Sequence, residues 1–187
     1  ITAQLINVVD GYHLWSERFD RDAGDIFAIQ DEISLSIVDH LKVTLHVGER
    51  DALQQRSTED HEAYNLYLKG LFFLARPRPD QLQTALRHFQ EALLRDPGFA
   101  KAHAGIAKVY AMLGNFNFAP PTEAWPKAKA AVEKALALDD RLSEAHGIAA
   151  SVAFWYEWDW VAAEASYNRL LVLNPGDAFT HGDYAWF

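Results

Sequence analysis

The chain has no cysteine, which excludes disulfides, thiolate zinc sites and thiol catalysis but leaves the compartment open, because a cysteine-free chain suits either redox environment. Positive charge is scarce: 17 Lys and Arg stand against 26 Asp and Glu, a formal net charge of -9. With no cationic surplus to release counterions from a phosphate backbone, nucleic acid is not an expected partner. Long apolar runs are missing too. None approaches the ~20 residues that cross a bilayer, and no basic segment leads into an apolar one at the N-terminus as in a signal peptide, so no direct membrane insertion is expected. Gly-rich phosphate loops, Gly-x-Ser-x-Gly and His-Glu-x-x-His are all absent, so no enzyme activity and no cofactor are expected of this stretch.

What is present is a folding composition: half of the 187 residues are hydrophobic and six are Trp, enough apolar side chain to build a packed core. Residues 1–19 read as a hairpin. Ile1, Ala3 and Leu5 alternate with Thr2, Gln4 and Ile6, then Val9-Asp10-Gly11 turns the chain and Tyr12 to Phe19 alternates again. A lone hairpin is marginal in water and must pack on a following helix or on further strands. From Asp25 to about Val47, Ile26, Ile29, Ile33, Ile37, Leu41 and Leu45 recur at helical steps, with Asp22 or Asp25 available as a cap. The chain opens at Ile1 inside the first strand with no Met, so continuation upstream is expected. Residues 48–60 are polar and read as a linker.

Beyond the linker a repeat emerges. Ala85-x3-Phe89-x2-Ala92-x4-Pro97, Ala128-x3-Val132-x2-Ala135-x4-Asp140 and Ala163-x3-Tyr167-x2-Leu170-x4-Pro175 share one spacing. Each follows another helical stretch, at 63–75, 100–113 and 143–156, and a fourth unit starts at Ala178. The pattern resembles the tetratricopeptide repeat (TPR), in which small residues let paired helices approach and a Pro ends the second helix. The resemblance implies a mainly α, TPR-type superhelix of about three and a half hairpins over 61–187 (61–98, 99–141, 142–176 and a partial 177–187). The corresponding ends lie 43 and then 35 residues apart. Against the family's uniform length, extra residues fall near Arg76 to Pro79, in Asn115 to Pro126 and near Glu157, and are expected in loops. Residues 1–47, through Gly11-Tyr-His-Leu-Trp-Ser-Glu-Arg-Phe-Asp20 and Asp25-Ile-Phe-Ala-Ile-Gln-Asp-Glu-Ile33, look like the C-terminal part of a TolB-like α/β domain. In such proteins that domain and its repeats follow a class III adenylate cyclase domain, a winged helix or a kinase.

In the TPR family the first helix of each repeat lines a concave groove. Carried over by position, the groove-facing residues are Tyr64, Tyr67 and Leu71; Lys101, Lys108 and Met112; Glu144, Ser151, Phe154 and Trp155; and Phe179 and Trp186 at the start of the fourth unit. This set implies a protein-binding module whose partner is an extended or helical peptide with some acidic character; the same face also fits an interior surface awaiting further repeats. The Lys and Asn pattern of chaperone-binding members is not matched, since Tyr67 and Leu71 stand in its place. Alternative expectations are the regulatory segment of a larger enzyme such as a class III adenylate cyclase, or the sensor part of a winged-helix regulator. Self-association through the hairpin edge or the unfinished repeat is also expected.

Other chemistry-bearing residues have plainer readings. Asp10, Asp20, Asp22 and Asp25 fit neither a calcium loop nor a helical ligand pair. His103, His146 and His181 occupy equivalent places in successive units, but neighbouring units set that position on the order of 10 Å apart against metal bonds of about 2 Å, which favours packed core histidines. The run Trp155-Tyr156-Glu157-Trp158-Asp159-Trp160 falls at the turn of the third unit, to seal it or to bind. The loop from Asn115 to Thr122, with Phe116 and Phe118, is a further candidate surface.

Overall fold

A computed structural model describes residues 2–7, 11–19, 32–34, 36–38, 40, 57–175 and 184. The chain divides into two compact units, Ile1–His61 and Glu62–Phe187.

In the first unit, β1 (Thr2–Ile6) pairs antiparallel with β2 (His13–Arg18), setting Ala3 opposite Glu17 and Leu5 opposite Trp15, with an irregularity between Leu5 and Ile6. The alternation in the sequence has its physical outcome here: Ala3, Leu5 and Trp15 are half-buried while their strand neighbours are exposed. Residues 32–34, 36–38 and 40 are helical and answer the hairpin's need for a packing partner. His40 lies 4.8 Å from the Trp15 ring centre, and the Ser36 hydroxyl donates to Glu17 Oε2 at 2.8 Å. Asp10, Asp20, Asp22, Asp25, the ends of the expected 25–47 helix and most of the linker lie outside the described residues.

The second unit is a run of helices: α1 (His61–Leu74), α2 (Pro79–Arg95), α3 (Ala100–Asn115), α4 (Pro121–Leu138), α5 (Ser143–Val152) and α6 (Trp160–Leu173). The positions that repeat in the sequence form its core. Ala85, Phe89 and Ala92, then Ala128, Val132 and Ala135, then Ala163, Tyr167 and Leu170 are all buried. Two apolar clusters result, one joining α1, α2 and α3 and one joining α3, α4 and α5. Helix α3 serves both, which explains its composition: with partners on opposite sides it carries Ala102 and Val109 toward one cluster and Ala100, Ala104 and Ala107 toward the other.

Phe89 is the centrepiece of the first cluster and is wholly buried; burying such a side chain contributes about 1.5–3 kcal/mol. Its ring is clasped by two glycines. A Cβ on Gly105 of α3 would stand 2.8 Å from Phe89, and one on Gly70 of α1 would collide with the same ring. These glycines let α1 and α3 close on α2.

The links between hairpins are also repeated. Asp96 Oδ1 accepts from Gly98 N at 2.9 Å, and Asp139 Oδ1 accepts from Arg141 N at 3.0 Å. Seven residues after each Asp a histidine reaches back: His103 Nε2 donates to the Pro97 carbonyl at 3.1 Å and His146 Nε2 to the Asp140 carbonyl at 2.8 Å. Each histidine thus ties the entry loop to the first turn of its own helix. His181 lies outside the described residues.

The expected loop at Asn115 to Pro126 is shorter than the sequence suggests. Helix α3 runs on to Asn115 and α4 already begins at Pro121, leaving 116–120 as the connection. Pro121 sits at the first helical position, where its fixed φ suits the helix and its missing N–H costs nothing. Pro126 lies inside α4 and forgoes one backbone bond, offset by the buried Ala124 and Trp125 beside it.

Candidate functional site

The candidate groove residues come from three first helices. Tyr64, Tyr67 and Leu71 lie on α1, Lys101, Lys108 and Met112 on α3, and Glu144 and Ser151 on α5. Titratable groups of these three helices lie within electrostatic reach of one another. The Glu144 carboxyl is held above the usual carboxylate range, first by loss of surrounding water and further by Asp139, against the pull of Lys101 and Lys108. Glu144 also acts on Tyr67: burial, then Glu144, then Tyr64 push that phenol well above its ordinary value. Glu144 is exposed and yet shielded from bulk water. Among the described residues neither Lys101 nor Lys108 forms an ion pair.

The expected residues are not equivalent. Lys108, Glu144 and Leu71 are exposed, and Tyr64 and Lys101 half-buried. Tyr67 corrects the expectation: it is 8% exposed, with its ring 5.8 Å from Phe89 and 5.1 Å from Phe99. It is a core residue that can offer the face only its hydroxyl. Met112 is half-buried against the first cluster. Ser151 spends its hydroxyl on its own helix, donating to the Gly147 carbonyl at 3.0 Å. Phe179 and Trp186 lie outside the described residues.

Phe154 and Trp155 join an aromatic cluster at the turn that follows α5. Helix α5 does not stop at Val152 but widens into a π-helical turn, Ala153–Glu157, which absorbs the extra residue that the repeat spacing puts near Glu157. Inside such a turn the i→i+5 bonds change the angular spacing of side chains, so positions carried over from a regular α-helical repeat no longer apply to Phe154 and Trp155. Trp155 meets Phe154 edge-on at 4.6 Å, Phe154 meets Trp160 at 5.2 Å, and Trp160 lies 6.2 Å from Trp158. Trp158 takes the left-handed conformation, φ 58°, and Asp159 caps α6 by accepting from Ala162 N at 3.0 Å. Glu157 is held by Lys129 of α4, which also reaches Glu133 at 3.9 Å. Sequence reasoning found the aromatic run but missed the π-turn; its signal was the one-residue excess in spacing.

The histidines are engaged structurally. His103 is buried, and burial above all pushes its imidazole below the ordinary value, aided by Lys134 and opposed by its bond to Pro97. Among the described residues no group of three or more His, Asp or Glu side chains converges as a metal site would require. No helix is long and apolar enough to cross a membrane among the described residues.

No family model matches the chain. Among solved structures it is similar to the first TPR of Spaghetti (RPAP3), bound there to the HSP90 peptide SRMEEVD, with a TM-score of 0.55 and 17% identity over 67% of this chain and 92% of that one. It is also similar to the TPR domain of Arabidopsis OM64, with a TM-score of 0.52 and 17% identity over 64% of this chain and 88% of that one. The helical unit is a TPR fold. In sequence, 107 residues are 39% identical to "Putative adenylate cyclase 3" of Rhizobium meliloti (strain 1021). That match covers 57% of this chain and 18% of the relative, so the chain spans under a fifth of that protein's length. The resemblance of residues 1–47 to a TolB-like domain rests on their sequence.

Proposed function

We propose that the face shared by α1, α3 and α5 of the TPR unit binds a peptide segment of a protein partner, one with some acidic character. The observation that carries this reading is the pair Lys101 and Lys108: both lie within electrostatic reach of Glu144, neither is held in an ion pair among the described residues, and half-buried Tyr64 and exposed Leu71 lie on the adjacent first helix. Cations with aromatic and aliphatic neighbours suit a ligand that supplies carboxylates and a few apolar anchors. A protein of the same fold holds a peptide in its solved structure. The test is selection from a random peptide library followed by calorimetry. Selected peptides are expected to be acidic and to bind Lys101→Ala/Lys108→Ala at least about tenfold more weakly, as loss of two shielded charge contacts implies. Undiminished binding to that variant and to Leu71→Ala would overturn the reading.

The identity to "Putative adenylate cyclase 3" favours a second reading at the level of the longer polypeptide, in which this module regulates a class III adenylate cyclase domain. Cyclic AMP formation by the full-length protein, with and without Lys101→Ala/Lys108→Ala, tests it; absence of any cyclase activity would set it aside.

A further inference from the structure

The turn between α5 and α6 presents large aromatic side chains to solvent. Trp155 is 51% exposed, Trp158 68%, Trp160 49% and Val161 80%. Such large apolar side chains left in water are the usual material of binding hot spots. Trp158 is the more telling because it sits where backbone sterics oppose it. At φ 58° its Cβ crowds the following carbonyl, a conformation that glycine takes freely and asparagine tolerates. Core packing does not repay that strain, since most of the side chain is in solvent. Strain retained at an exposed aromatic residue calls for a role outside the fold.

The charge around these rings selects the occupant. From Leu142 to Asn168 the sequence contains no Lys or Arg, while Glu157, Asp159 and Glu164 fall at or beside the turn. Among the described residues Lys129 reaches the turn, and it is already held by Glu157 and Glu133. Asp159 commits Oδ1 to the helix cap, and Glu164 lies exposed one turn into α6. Indole faces beside carboxylates favour guanidinium or ammonium groups through cation–π attraction and charge pairing, and they disfavour an anionic lipid surface.

We propose that the α5–α6 turn docks a basic segment of a partner protein, its cations received on the indoles of Trp155, Trp158 and Trp160 and by the carboxylates of Asp159 and Glu164. This surface differs from the lysine-bearing face of α1, α3 and α5 in location and in the sign of its ligand.

Tryptophan fluorescence at physiological ionic strength tests it, with a (Gly-Ser-Arg)4 peptide as probe and the same peptide carrying citrulline for arginine as a neutral control. The wild-type chain should show a saturable change with the arginine peptide, and at least about tenfold weaker binding of the citrulline peptide. Trp158→Gly should lose about tenfold in affinity for the arginine peptide while unfolding at the same or a higher denaturant concentration, because glycine relieves the strain. Glu164→Gln should weaken it less, and Lys101→Ala/Lys108→Ala should not weaken it at all. Equal affinity of Trp158→Gly and wild type, equal binding of both peptides, or binding of phosphatidylglycerol vesicles with no response to the arginine peptide would each overturn the proposal.

Discussion

Two turns of the same solenoid close in nearly the same way with opposite regard for local chemistry. After α3, Asn117 stands at φ 56°, its N–H bonded to the Gly114 carbonyl at 3.2 Å and that of Phe118 to Leu113 at 2.9 Å. That is the Schellman closure of a helix, with asparagine where a left-handed residue is tolerated. After α5 the left-handed residue is Trp158, and the closing bond runs from Asp159 N to the Ala153 carbonyl at 3.0 Å, one residue wider because of the π-turn. The first turn follows backbone propensity; the second departs from it and leaves its indole in solvent. Where local preference and observed structure conflict while most of the side chain stays in solvent, the explanation lies in what the residue does.

The largest expected effect lies at Phe89 in the first apolar cluster, far from either left-handed residue in sequence. Phe89→Ala should cost about 3–5 kcal/mol of unfolding free energy, read by urea denaturation, whereas Trp158→Ala, at an exposed ring, should stay within about 0.5 kcal/mol. Gly105→Ala, whose methyl would press on Phe89, should destabilise by about 1–3 kcal/mol despite alanine's better helix propensity. The two turns themselves should then respond in opposite directions. Trp158→Gly is expected to gain up to about 1 kcal/mol and Asn117→Ala to lose about as much; equal losses at both sites would show that Trp158 is unstrained.

The smallest expected effect concerns pH. His103 has its folded pKa depressed chiefly by burial, so below the unfolded value of about 6.5 the unfolded chain binds more protons than the folded one. Its contribution to stability is complete above that pH and declines as pH falls through it toward the lower folded value. Denaturation midpoints measured across this window should fall less steeply for His103→Gln than for wild type; identical slopes would remove His103 from the account.

Much of this was legible in the residues. The spacing that repeats at Ala85, Phe89 and Ala92 marks positions that are buried in every hairpin, because a hairpin stacked on its neighbours has to bury the same stripe each time. Tyr67 was legible too, for Ala63, Tyr67, Gly70 and Leu74 fall at steps of four, three and four on one buried stripe of α1; a family position assigned it to the open face instead. The π-turn was not legible in kind. A shift of hydrogen-bond register has no compositional mark, and a one-residue excess reads equally as a longer loop. The short α3–α4 connection escaped because residues in excess of the repeat length were expected in a loop, whereas they lengthen α3 to Asn115 and start α4 at Pro121.

The central claim is that the α1, α3 and α5 face is the working surface for an acidic segment. Backbone amide chemical-shift mapping with a library-selected acidic peptide tests it most directly. The account predicts the largest shifts at Tyr64, Leu71, Lys101, Lys108 and Glu144, with α2 and α4 largely unmoved. Shifts concentrated on the outer faces of α2 and α4, with Lys101 and Lys108 unchanged, would contradict it.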